Sequence, residues 1–336
     1  MPPANIRTSA IILLIAAALG PIPGASGQVA APTPRPPLLP QTRPATTPKP
    51  WPFGTPGSAK GSGAAQNPPP PRENPLVEKP LAQISLEGVG EHGRKALAIN
   101  PPKWKHAETE NFILHYRRVT EAQKVAREVE YDLWYIATVL GATRDRYQRK
   151  SHVYIFEDEE EWKQFLSLTG VPSWSASFAY GDELFLNMRR DGGGFSSNTL
   201  AHETSHAVVA RLFPGQRWPL WLSEGFAEYM GGASVAARKG QTVKRHQNRL
   251  DLAEMPLARL EALTEYPSDE NAVGQLYQTS EKFVRFLMNE LPKERIVSFI
   301  EAVLAGKKMQ EAVLAVYGDK LKDWDGFMKR YERFNK

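Results

Sequence analysis

His202 and His206 stand four residues apart, and the helix implied by that spacing constrains this 336-residue chain more than any other stretch does. At about 3.6 residues per turn, side chains four apart lie on one face. Leu200, Ala207, Val208 and Leu212 supply apolar anchoring for the same segment. Glu203 adjoins His202, which completes an HExxH arrangement: two histidines hold zinc, and the glutamate acts as general base toward its water. A catalytic zinc keeps one position open and lowers the pKa of that water to about 7. Two imidazoles leave the ion under-ligated, so a third donor has to come from elsewhere. Eighteen residues after His206 comes Glu224, with Glu228 four further on and therefore on the same face of a second helix. Pro219 suits that helix's first turn. One glutamate would bind the metal and the other would accept the free ring N–H of a ligating histidine. Spacing alone does not rank them.

The segment His202-Glu203-Thr204-Ser205-His206, with Trp221-Leu222-Ser223-Glu224-Gly225-Phe226-Ala227-Glu228-Tyr229 behind it, resembles the gluzincin branch of metallopeptidases. The nearest likeness is to peptidase-MA-like domains of secreted bacterial proteins. The resemblance implies Zn²⁺ held by His202, His206 and Glu224, with Glu228 holding a ligand ring and Glu203 as the base. It also implies an α+β, zincin-like fold. A small N-terminal lobe of mixed sheet and helix would run from about 104 to 212 and a mostly α-helical C-terminal lobe from about 219 to 336, with the cleft between them. Aminopeptidase-N-like enzymes share the WLxEGFA stretch, but no upstream GxMEN segment has a counterpart here, which weakens that reading. Metzincins need a glycine and a third histidine where Val209 and Leu212 stand, so that branch is excluded.

The N-terminal part has a different character. Met1 to Gly27 places Arg7 before an apolar run, Ala10 to Leu19, and ends in small residues at Ala25-Ser26-Gly27, the pattern of a cleaved signal peptide. The run falls short of the roughly 20 residues that a membrane-spanning helix needs. Residues 28–80 then carry 16 of the 28 prolines, a composition that buries too little apolar surface to fold and reads as a disordered, extended linker. Arg7 (+1) and residues 28–80 (+4) account for the whole net charge of +5. The domain proper, 81–336, is therefore formally neutral, which argues against a nucleic-acid partner. With Cys 0, disulfides, thiolate ligands and a cysteine nucleophile are excluded. Export without disulfides suits a secreted protein or one of the bacterial envelope or periplasm, with no integral membrane domain once the signal is cleaved.

Periodicity predicts strands around 110–116 and 152–156, an amphipathic helix over 120–140 and a short acidic helix over 158–168. His115 and His152 lie on those strands and read as structural or surface residues. The acidic run Glu157 to Glu161 reads as a solvated helix start. Gly181-Asp182 between apolar runs signals a hairpin. By the resemblance, Leu184, Phe185, Leu186 and Asn187 occupy the place of an edge strand that pairs with substrate backbone. Asp191-Gly192-Gly193-Gly194 is flexible enough to cover the cleft, and Ser196, Ser197 or Asn198 can cap the histidine helix. His246 is poorly spaced as a ligand. A helix is expected over Gln275 to Leu287, and its YxxSxxFVxFL pattern starts at Tyr277, which the resemblance makes the donor to the oxyanion, a core tyrosine being the other reading and Tyr229, Tyr266 and Tyr180 alternatives. Three amphipathic helices close the chain at 296–304, 309–317 and 321–334. The expected activity is peptide-bond hydrolysis on a peptide or protein substrate. The alternatives are a non-catalytic zinc- or peptide-binding envelope domain and a zinc hydrolase of other amides or esters.

Overall fold

Three short apolar runs, Phe112–Tyr116 (β3), Ser151–Phe156 (β4) and Glu183–Asn187 (β6), are buried at every position and form the centre of a mixed sheet. Strands buried on both faces need helices above and below, and parallel neighbours need crossover connections. Val119–Val139 (α2) joins β3 to β4, and Glu159–Thr169 (α3) lies between β4 and the hairpin that contains β6. The computed structural model describes residues 76–143, 146, 149–173, 175–188, 196–241 and 252–334. The expected signal segment, nearly all of the proline-rich stretch, the Asp191–Gly194 loop and His246 lie outside the described residues.

Val77–Glu78 (β1), Lys105–Glu108 (β2) and Ser177–Tyr180 (β5) complete the sheet, in the order β1-β2-β3-β4-β6-β5. The β3–β4 and β4–β6 pairs are parallel; the outer pairs are antiparallel. Tyr180 pairs with Glu183 around Gly181, whose φ of 60° is the left-handed geometry that a two-residue hairpin needs. This order corrects one expectation. Leu184 to Asn187 are not an edge, because β6 is hydrogen-bonded to β4 on one side and β5 on the other. Both runs of the hairpin are apolar, so sequence could not tell which turned inward; among the described residues the free edge belongs to β5.

Glu91–Leu97 (α1) and α3 cover one face of the sheet; α2 and the histidine helix, Ser197–Leu212 (α4), cover the other. The α3 face is an aromatic core of Trp104, Tyr154, Phe156, Trp162, Phe165, Phe178 and Phe185. Asp158 caps α3 by accepting from the Glu160 and Glu161 amides, and Gly170 (φ 72°) ends it. The acidic run is thus only partly solvated: Glu161 is buried and pairs with Arg117, while Glu157 pairs with Arg118. His115 and His152 are interior, not surface, residues. His106 Nδ1 lies 2.8 Å from His115 Nδ1, His115 Nε2 lies 3.0 Å from His152 Nδ1, and His152 Nε2 lies 3.1 Å from the Glu87 carbonyl. A carbonyl can only accept, so His152 donates to it, His115 donates to His152, and His106 donates to His115, all three neutral. Burial holds their pKa values below the ordinary imidazole range.

After α4 the described chain is helical: Leu220–Arg238 (α5), Leu257–Ala262 (α6), Glu270–Glu290 (α7), Ile296–Leu304 (α8), Met309–Tyr317 (α9) and Trp324–Arg333 (α10). The architecture is therefore a small sheet lobe followed by a mostly helical part. Helix α5 lies between α4 and α7, and the α7 contacts continue through Trp221, Phe283 and Phe299 and through Phe286 and Phe327. No helix among the described residues is long and apolar enough to cross a membrane.

Candidate metal centre

Helix α4 carries His202, Glu203 and His206, all but His206 fully buried. Ser196 holds the N-cap position through its backbone, accepting from the Leu200 amide at 3.0 Å, and its side chain makes no cap bond. Pro219 sits one step before α5 rather than in its first turn; it has no N–H to lose, and its carbonyl receives the Leu222 and Ser223 amides. Glycines let α5 come close on both sides. A Cβ on Gly225 would lie 2.6 Å from the carbonyl carbon of Ser280 on α7, and one on Gly231 would lie 3.1 Å from the His202 amide on α4. This close approach brings Glu224 against the histidines.

The two Nε2 atoms of His202 and His206 are 3.1 Å apart, and Glu224 Oε2 is 3.5 Å from the first and 3.7 Å from the second. A tetrahedral ion with bonds of about 2.0–2.1 Å has ligand-to-ligand edges of about 3.3 Å, so this triangle has the required size. Two lone pairs facing each other at 3.1 Å repel unless a cation or proton lies between them. Glu224 Oε2 and Glu203 Oε2 are buried without hydrogen-bond partners, an arrangement that is costly unless a cation answers it. The cluster fits a metal ion. One Glu203 oxygen also comes within 4.8 Å of both ring nitrogens, but Glu224 is nearer, and Glu203 Oε1 accepts from Ser177 Oγ at 3.3 Å.

Glu228 Oε1 lies 3.2 Å from His202 Nδ1, at ion-pair distance although not aligned as a hydrogen bond. The structure thus separates the two glutamates that spacing left equal: Glu224 faces both Nε2 atoms, and Glu228 faces the far side of one ring. Ser223 Oγ sits 3.3 Å from His206 Nδ1. Burial works against a charged His202, yet Glu224 and Glu228 raise its pKa well above the ordinary value. Burial raises that of Glu203, partly offset by the two histidines. Glu224 resists burial and stays well below the carboxylate range beside His206 and His202.

Of the four candidate tyrosines, Tyr229 donates to Asn289 Oδ1 at 3.3 Å, and Tyr180 stacks on His92 with ring centroids 4.2 Å apart. His92 belongs to α1, so Tyr180 points away from α4. Tyr277 puts its ring 6.1 Å from that of His202. Tyr266, between α6 and α7, donates to Glu224 Oε1 at 2.7 Å and lies 6.4 Å from the Tyr277 ring. Burial and the charge of Glu224 raise both phenols well above their usual range, so both remain donors. Sequence reasoning missed any role for Ser177 and Ser223 and did not foresee the bond from Tyr266 to Glu224. Nothing near Ser177 in the chain marks it; it reaches Glu203 because β5 packs on α4.

Sheet, helix pair and buried cluster together define a zincin-like domain of metallopeptidase type. The chain belongs to the peptidase MA superfamily, whose family model matches residues 135–335, from within α2 to just past α10. That membership carries a peptidase function in general, with peptide or protein as substrate. No curated protein matches the chain.

Proposed function

We propose that this chain is a secreted, zinc-dependent metallopeptidase that hydrolyses peptide bonds with Glu203 as general base. The observation that carries this reading is the convergence of Glu224 Oε2 on both histidine Nε2 atoms, at 3.5 and 3.7 Å, with the Glu203 carboxylate buried beside them. His202, His206 and Glu224 would hold Zn²⁺, which supplies Lewis acidity that makes hydroxide available near neutral pH and polarises the scissile carbonyl. Glu203 takes the proton of the attacking water and passes it to the leaving amine; its depressed acidity suits both steps. Tyr277, whose ring lies 6.1 Å from that of His202, would donate to the oxyanion. The free edge of β5, leading into Ser177, gives substrate backbone a place to pair. Secretion is supported by the pattern of Met1 to Gly27 and by the lack of cysteine.

The test uses purified protein and its Glu203→Gln variant, with metal content measured by mass spectrometry and cleavage of a mixed peptide library followed in parallel. One zinc in both proteins with cleavage by the parent alone supports the proposal. A metal-free parent, or a variant with full turnover, overturns it.

A further inference from the structure

We propose that Tyr266 is a positioning residue for the metal: its hydroxyl holds Glu224 so that a single carboxylate oxygen faces the two histidines. This inference rests on the zinc-site reading above and names a residue that neither the HExxH motif nor the glutamate segment contains.

A carboxylate has two equivalent oxygens and a free terminal torsion, so it can meet an ion through either oxygen or both. In this site the two are not equivalent. Oε1 accepts the Tyr266 hydroxyl at 2.7 Å; Oε2 faces His202 and His206 and has no hydrogen-bond partner. The α5 backbone fixes where the Glu224 side chain begins, and the Tyr266 bond fixes how it ends. Tyr266 is set by its own surroundings: it follows α6 by a short connection, and its ring lies 6.4 Å from that of Tyr277 at an angle of 27°. The segment between α6 and α7 therefore reaches the ion through Glu224.

Removing a partner that orients a metal ligand typically weakens affinity by about 10–100-fold. The experiment titrates Zn²⁺ into metal-stripped full-length protein against a chelating dye, for the parent, Tyr266→Phe, Glu224→Ala and the double variant. Thermal unfolding of each metal-free protein is recorded as well. Tyr266→Phe keeps the ring and is expected to bind Zn²⁺ about tenfold or more weakly than the parent, with an unchanged metal-free unfolding temperature. In the Glu224→Ala background the same change is expected to alter affinity by less than about twofold, since the carboxylate it acts on is gone. Parent-like affinity in Tyr266→Phe overturns the inference and leaves the zinc site standing, as does an equal loss in both backgrounds. Loss of kcat at unchanged affinity would place Tyr266 on the substrate and overturn it too. A parent that binds no zinc overturns the site and this inference together.

Discussion

Gly225 stands beside Glu224 where α5 crosses α7, and its missing side chain is what lets the helices meet. A Cβ built there falls 2.6 Å from the carbonyl carbon of Ser280, and closer still to its oxygen. Carbon atoms in ordinary contact are about 3.5 Å apart, so Gly225→Ala forces α5 and α7 apart by roughly 1 Å. Both obstructing atoms are backbone, and no rotamer change relieves the clash. Overpacking of this kind costs about 1–3 kcal/mol, against a gain of about 0.8–1 kcal/mol in helix propensity. With the clash at the upper end of that range, the net loss is about 2 kcal/mol, or a Tm lowered by about 4–8 °C. The displacement falls on the residue next to a ligand, so zinc affinity should fall about tenfold with it. Gly231→Ala is the graded control: its nearest contacts, 3.1 Å from Asn198 O and the His202 amide, need only a few tenths of an ångström of give. Urea unfolding of the metal-free proteins and zinc titration measure both effects. A Gly225→Ala protein that matches the parent in both, or one that is milder than Gly231→Ala, would refute the argument.

Two further outcomes follow from buried polar groups. Ser177→Ala leaves Glu203 without its hydrogen-bond donor and is expected to lower kcat about tenfold with KM within about twofold, a split that steady-state kinetics resolves and Ser177→Thr should restore. Asp132, buried between α2 and α5 and bonded to Ser234, has its pKa pushed up to about 7 by burial. Its folded value lies above the unfolded one of 3.8, so the unfolded chain binds fewer protons between the two and stability falls as pH rises through that window. Asp132→Asn should remove that fall, gaining on the order of 2 kcal/mol over the parent at pH 8 and little at pH 4, as read by denaturant unfolding across pH. A pH-independent difference would show that the carboxyl is not the cause.

The elements that repeat a pattern could be read from sequence, and so could the His202, Glu203 and His206 cluster that fits a metal ion. Helix α2 is expected over 120–140 and observed over Val119–Val139, because Val125, Val129, Leu133 and Ile136 bury a stripe at helical spacing. The histidine helix and the α5 glutamates come together as expected because they lie on two consecutive helices. Relations between distant segments could not be read. Strand order decides that β5, not Leu184–Asn187, is the edge, and no local property of either strand states it. The bonds from Ser177 to Glu203 and from Tyr266 to Glu224 span 26 and 42 residues. They depend on how lobes pack rather than on any period. The buried His106–His115–His152 chain is invisible for the same reason: alternation puts residues on faces but does not set register between strands.

The span from His202 to Glu224 also bears on how the protein assembles. Closing a short loop costs little entropy, while contacts across long stretches of chain form late. A helical hairpin of α4 and α5 therefore gathers all three metal-facing donors by itself. The groups that hydrogen-bond Glu203 and Glu224, Ser177 on the sheet and Tyr266 beyond α6, arrive only when distant parts of the chain dock. Gathering of the metal-facing donors and orientation of the two glutamates are separate events in such a chain, with the second delayed until the fold is complete.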